Sequence, residues 1–225
     1  MDAHLSRDAE LLGAEYAAVT RIVEALEGAD FERPTGADAW NVRELLFHQL
    51  LDAQRALIAF ASPSDAPPDV DAVTYWQDFR PDLGDGGAAH AVFVTKAAAA
   101  YDGPAGLVAQ WKVTAEAAAR MAATAAGEGR ITTQGHVLTV PDFVNTLLLE
   151  VTVHHLDLVV DLDAPPPSAA SLSVTRDVLS GLLGHDLPAA WDDTDAVLAG
   201  TGRRSLTDRD RGLRGADADR LPLLG

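Results

Sequence analysis

Glu150 and His154 lie four residues apart in the most apolar stretch of the chain, residues 143–162. Residues at that spacing are neighbours on a helix, about 5–6 Å between Cβ atoms, so a carboxylate and an imidazole can reach one ion from one face. Around them stand Leu147, Leu148, Leu149, Val151, Val153, Leu156 and Leu158. A bare carboxylate in such a setting is costly unless a metal or an ion pair offsets it. His48 stands in a second apolar segment, among Leu45, Leu46, Phe47, Leu50 and Leu51. If the two segments face each other, His48, Glu150 and His154 form a His2Glu set. Such a set binds a divalent metal and leaves a coordination position for water or substrate. Spacing alone leaves a hydrogen-bonded core histidine at His48 and a buried Glu150–His154 ion pair open as well. It is not the His-Glu-x-x-His of metalloproteases, and paired Glu-x-x-His motifs of a di-iron bundle are absent.

The neighbours of these residues have weaker readings. His155 points about 100° away from His154 on a helix, which makes it a structural residue or an outer support of the site. Asp157, three residues after His154, and Asp52, four after His48, are placed to orient an imidazole from behind. For both, a solvated or capping acid is the plainer alternative. His90, His136 and His185 have no partner that spacing suggests, and His4 reads as terminal surface. Gly84-Asp85-Gly86-Gly87 has no preceding strand and no lysine, so it reads as a plain loop and not a phosphate cradle. No nucleophile elbow is present.

Composition narrows the function classes. There is no cysteine, which excludes disulfides, thiolate metal sites and cysteine catalysis. Any thiol chemistry must use a thiol that arrives with a substrate or cosubstrate. With 17 basic against 34 acidic residues the formal charge is −17, which argues against nucleic-acid and anionic-membrane surfaces and favours solubility. The beginning of the chain lacks a basic and then apolar leader. Segment 143–162 carries Glu150, two histidines and Asp157, too polar a centre for a membrane span. The expectation is a cytoplasmic protein acting on small molecules, as a monomer or homodimer. Arginine greatly outnumbers lysine, in the manner of a GC-rich bacterial genome.

The elements that must position these residues are helices. Leu5, Ala9, Leu12, Tyr16, Val19, Val23 and Leu26 form one apolar stripe. Asn41 and Glu44 have the spacing of a capping box for a second helix, which ends at Ser62-Pro63. Residues 62–87 read as a long loop with a short Tyr75-Trp76 segment. Helical patterns follow at 88–100 and 106–126, interrupted by Asp102-Gly103-Pro104. Residues 131–140 around Gln134-Gly135 suggest a short hairpin. Thr139 then caps the next helix, with Asp142 reciprocal, and this helix is expected to run to about Leu162. Pro165-Pro166-Pro167 is the clearest linker. The expected fold is mainly all-α, an antiparallel four-helix bundle. The division is a metal-binding bundle at 1–163 and a small helical or irregular extension at 168–225.

The residues also resemble a family. Trp40-Asn41-Val42-Arg43-Glu44-Leu45-Leu46-Phe47-His48, the stretch from Glu150 to Asp157, and Thr201-Gly202-Arg203 followed by Leu221-Pro222-Leu223-Leu224 together resemble the mycothiol-dependent maleylpyruvate isomerase group of the DinB-like superfamily. The resemblance spans most of the chain. It implies a divalent metal, usually zinc, held by His48, Glu150 and His154. It also implies a low-molecular-weight thiol cosubstrate, mycothiol in actinobacteria, which agrees with the composition and with a chain that has no thiol of its own. Arg55 and Arg80 are the candidates for contact with an acidic substrate.

The leading expectation is therefore a metal- and thiol-dependent isomerase or thiol transferase acting on a small electrophile. A hydrolase that uses metal-activated water, and a non-catalytic bundle that binds metal or ligand, are the alternatives.

Overall fold

The computed structural model describes residues 3–77, 85–125 and 127–224. Four long helices make the bundle: α1 (Ala3–Ala25), α2 (Val42–Phe60), α4 (Pro104–Thr124) and α5 (Val140–Val159). A fifth, α3 (Asp85–Ala98), packs on the outside of α2. Contacts run α1 to α4, α4 to α2, α2 to α5 and α5 back to α1, which closes the ring. Leu12, Leu45, Leu50, Trp111, Phe143 and Leu147 fill its centre. The indole of Trp111 donates to Thr20 Oγ1 at 2.9 Å, so its one polar atom is satisfied inside the core.

Local sequence explains where the helices begin. Asn41 accepts from the Glu44 amide while the Glu44 carboxylate accepts from the Asn41 amide, each at 3.0 Å, which starts α2. Strands β1 (Arg130–Thr133) and β2 (His136–Thr139) pair antiparallel, with Gln134 (φ 48°) and Gly135 (φ 86°) in the left-handed turn. Thr139 Oγ1 accepts from the Asp142 amide and starts α5. Loop residues 62–69 do not run free. They hydrogen-bond along the hairpin, through Thr132 N to Ser62 O and Asp69 N to Val137 O.

Three boundaries differ from the sequence reading. Helix α3 begins at Asp85, inside the segment read as loop. Asp102-Gly103-Pro104 separates two helices: α3 has already ended at Ala98, and Pro104 opens α4. Helix α5 stops at Val159, short of Leu162, because the chain there turns to meet the 33–36 loop, with Arg33 Nη1 donating to the Asp161 carbonyl at 2.6 Å.

Beyond the prolines come α6 (Ala169–Leu183), α7 (Asp193–Gly200) and α8 (Asp208–Arg214). Helix α6 packs on α5 and α7 on α6. Leu149, Val153 and Leu156 of α5 join Leu172, Leu179, Leu183, Trp191 and Val197 in a second apolar cluster. Helix α5 is therefore buried on both sides, which accounts for an apolar pattern that nearly encircles it. Among the described residues no helix is long and apolar enough to cross a membrane.

Candidate metal centre

Helices α2 and α5 meet so that His48 faces Glu150 and His154. One donor atom from each lies within 4.8 Å of the other two. His48 Nε2 is 3.1 Å from His154 Nε2, which in turn is 3.3 Å from Glu150 Oε2. Two ligand atoms bound at about 2.1 Å to a tetrahedral zinc lie about 3.4 Å apart, so these separations suit a common small cation.

The hydrogen bonds behind the donors point the same way. His154 Nδ1 donates to Asp157 Oδ2 at 2.9 Å, so Nε2 is the nitrogen turned to the site. His48 Nδ1 lies 3.2 Å from His90 Nε2, and its ring stacks on Trp40 with centroids 4.6 Å apart and planes 28° from parallel. His48 Nε2 is thereby aimed at the same point. The lone pairs of these three atoms would repel one another at that point unless a proton or a metal ion lies between them.

Electrostatics agree. Burial, and then the charge of neighbouring His154, push His48 down to about 3, which keeps it a neutral base. Burial opposes a charge on His154, but hydrogen bonds to Asp157 and Glu150 outweigh it and push its pKa up to about 9. Burial also opposes ionised Glu150, yet the His154 hydrogen bond and charge hold it below the ordinary carboxylate range. The centre favours a cation, whether a proton on His154 or a metal ion.

Asp52 and Arg55 border the site from α2. Arg55 Nε and Nη2 are each 3.3 Å from Asp52 Oδ1, and Arg55 Nη1 donates to Tyr75 Oη at 3.2 Å and Gln134 Oε1 at 3.3 Å. Tyr75 also bonds Gln134, so the loop and the hairpin tip close together on this arginine. Among the described residues Asp52 Oδ2 is buried with no hydrogen-bond partner, and it lies 3.7 Å from His48 Nε2. Burial and then the Glu150 charge raise the Asp52 carboxyl.

The other sequence candidates are placed as follows. His155 faces away from the site, with Nδ1 3.0 Å from Glu15 Oε2 and Nε2 3.1 Å from the Pro165 carbonyl. Arg80 lies outside the described residues. His90, without a partner by spacing, is brought to His48 by α3. His136 pairs with Asp69 at 3.0 Å and His185 with Asp217 at 2.9 Å, and neither is among the three converging donors. Spacing does not point to Trp40, His90, Tyr75 or Gln134, because each reaches the site from a different element. The one available signal was Trp40, adjacent to the Asn41 cap.

No curated protein and no solved structure matches the chain. The family model of the mycothiol maleylpyruvate isomerase N-terminal domain matches residues 12–159. That range contains α2 to α5 with His48, Glu150 and His154, and it leaves out everything from Val160 onward. This chain belongs to the mycothiol maleylpyruvate isomerase N-terminal domain family and has its DinB-like helical bundle.

Proposed function

We propose that this protein is a divalent-metal-dependent enzyme that uses a low-molecular-weight thiol of the mycothiol class to isomerise a small electrophile or to transfer the whole thiol onto it. The observation that carries the reading is the convergence of His48 Nε2, His154 Nε2 and a Glu150 oxygen on one point. Two imidazoles and one carboxylate are a donor set that zinc uses in catalytic sites and that iron(II) and other first-row divalent ions also accept. When bound there, the ion would act as a Lewis acid that favours the thiolate form of an incoming thiol. The family supports mycothiol, and a chain without cysteine needs an outside thiol. A cytoplasmic setting, where thiols stay reduced, fits this chemistry.

The remaining roles fall to the chain's own residues. Asp157 holds the Nδ1 proton of His154. Asp52 Oδ2 is free to accept a proton from whatever enters beside His48. Arg55, kept charged by Asp52 despite burial, supplies positive charge for an acidic substrate, and Tyr75 and Gln134 set its position. The test is zinc analysis of the purified protein, followed by calorimetric titration of the zinc-loaded protein with a mycothiol-type thiol. About one zinc per chain, lost in His48→Ala and His154→Ala, and saturable thiol binding support the reading. Zinc retained in both variants, or no thiol binding, overturns it.

The free Asp52 oxygen favours one second reading, hydrolysis, since it serves water as well as a thiol. Turnover of an ester or amide panel without added thiol distinguishes the two.

A further inference from the structure

The segment beyond the family match reaches back to the metal centre through one residue. Arg203 follows α7, and its Nε donates to Asp157 Oδ1 and its Nη2 to Asp157 Oδ2, both at 3.0 Å. Asp157 is wholly buried. Its Oδ2 is the same atom that accepts the Nδ1 proton of His154. A two-pronged guanidinium fixes the plane of a carboxylate, which one contact cannot do. The 201–204 turn that carries Arg203 is itself held firmly. Gly202 takes the left-handed conformation at φ 76°, and Arg203 Nη1 donates to the Thr201 carbonyl at 2.8 Å. The Leu223 amide donates to the Gly200 carbonyl at 2.8 Å, and the Arg204 amide to the Leu198 carbonyl at 3.0 Å. On the opposite side, the Gly36 amide donates to the Asp157 carbonyl at 2.9 Å.

We infer that Arg203 is a positioning residue for the metal centre. It locks Asp157, which locks the His154 ring with Nε2 toward His48 and Glu150. The segment after Val160 is thus part of the site's machinery. This rests on the metal reading above. An unanchored Asp157 would leave His154 free to turn about its ring, and loss of such an outer partner typically weakens metal binding about 10- to 100-fold.

The experiment compares wild type, Arg203→Met, Arg203→Lys and Arg176→Met. Arg176 binds the carbonyls of Leu187, Pro188 and Trp191 and the Asp193 carboxylate, so it braces the same segment without touching the centre. Zinc affinity is read by competition with a chromophoric chelator. The hydrogen-bonded Nδ1 proton of His154 is read by 1H–15N NMR before zinc is added, and helicity by circular dichroism. The expected result is an affinity loss of about 10-fold or more in Arg203→Met, loss of the protected Nδ1 signal, partial recovery in Arg203→Lys, and unchanged affinity in Arg176→Met. If Arg203→Met does not fold, Arg203→Lys against Arg176→Met makes the same comparison. Wild-type zinc affinity and a protected Nδ1 proton in the Arg203 variants overturn the inference and leave the metal reading intact. Equal losses in Arg176→Met overturn it too. A wild type that binds no zinc, but whose Nδ1 signal still depends on Arg203, overturns the metal reading while the positioning contact stands.

Discussion

Replacing Glu15 by alanine should be among the most damaging single changes in this protein, although Glu15 is far from the metal centre in sequence. Its side chain is 2% exposed. It accepts hydrogen bonds from the Ser168 amide at 3.0 Å and Ser171 Oγ at 2.7 Å, and it lies 3.0 Å from His155 Nδ1. It therefore ties α1 to α5 and to the beginning of α6. Alanine would leave the Ser168 amide and His155 Nδ1 without a partner, while Ser171 Oγ could still bond Ser168 Oγ at 2.8 Å and His155 Nε2 keeps the Pro165 carbonyl. Breaking one side of a buried polar cluster costs about 3–5 kcal/mol, a large part of the ~5–15 kcal/mol that holds a typical domain. Glutamine should be milder, at about 1.5–3 kcal/mol, because it exchanges a charge-assisted hydrogen bond for a neutral one. His155 Nε2 faces a carbonyl and so carries hydrogen, and Nδ1, which donates to the carboxylate in the wild type, can accept from the new amide once its own proton has gone. Urea unfolding, followed by helicity and by tryptophan fluorescence, measures both variants. A cost for Glu15→Ala below about 1 kcal/mol, or Glu15→Gln as damaging as alanine, would refute this account of the cluster.

Three further outcomes follow from the same structure. Burial alone would raise the Glu15 carboxyl, but hydrogen bonds from His155, Ser171 and Ser168 hold it below the ordinary carboxylate range. A depressed folded-state pKa contributes stability above the unfolded value that is lost as pH falls through the folded one. Stability of the wild type should therefore drop below about pH 4.3 more steeply than that of Glu15→Gln, as read by unfolding midpoints across pH. Gly36→Ala should destabilise by about 1–3 kcal/mol and weaken zinc binding, because the new Cβ would lie 2.6 Å from Asp157 Oδ1 and 3.0 Å from Asp157 Cα; thermal melting and chelator competition check the two effects. Thr139→Ala should cost about 1 kcal/mol through loss of the α5 cap, measured by urea unfolding.

Local sequence determined a good deal about this protein. The capping pairs Asn41–Glu44 and Thr139–Asp142 and the Gln134-Gly135 turn act within four residues, and each was legible because its partners are bonded neighbours along the chain. Helical geometry likewise places Glu150 and His154 on one face, and Asp157 under the His154 ring, before any tertiary contact forms. The family, too, was legible in the stretches around His48 and Glu150.

Packing decided the rest. Spacing says which residues share a face but not which faces meet, so the approach of His48 to His154 required α2 to lie against α5. The same apolar helix turned His154 to the metal centre and His155 to Glu15, a difference set by the helices opposite each ring and not by the residues themselves. His90 and Arg203 approach the centre from 42 residues beyond His48 and 46 residues beyond Asp157, with no periodicity to link them. The near-continuous apolar pattern of α5 announced burial on every side. Only the folded chain shows that the bundle covers one side and the segment after the prolines covers the other, because the stripe of α6, Leu172, Val178, Leu179 and Leu183, marks a face to be buried without naming its partner.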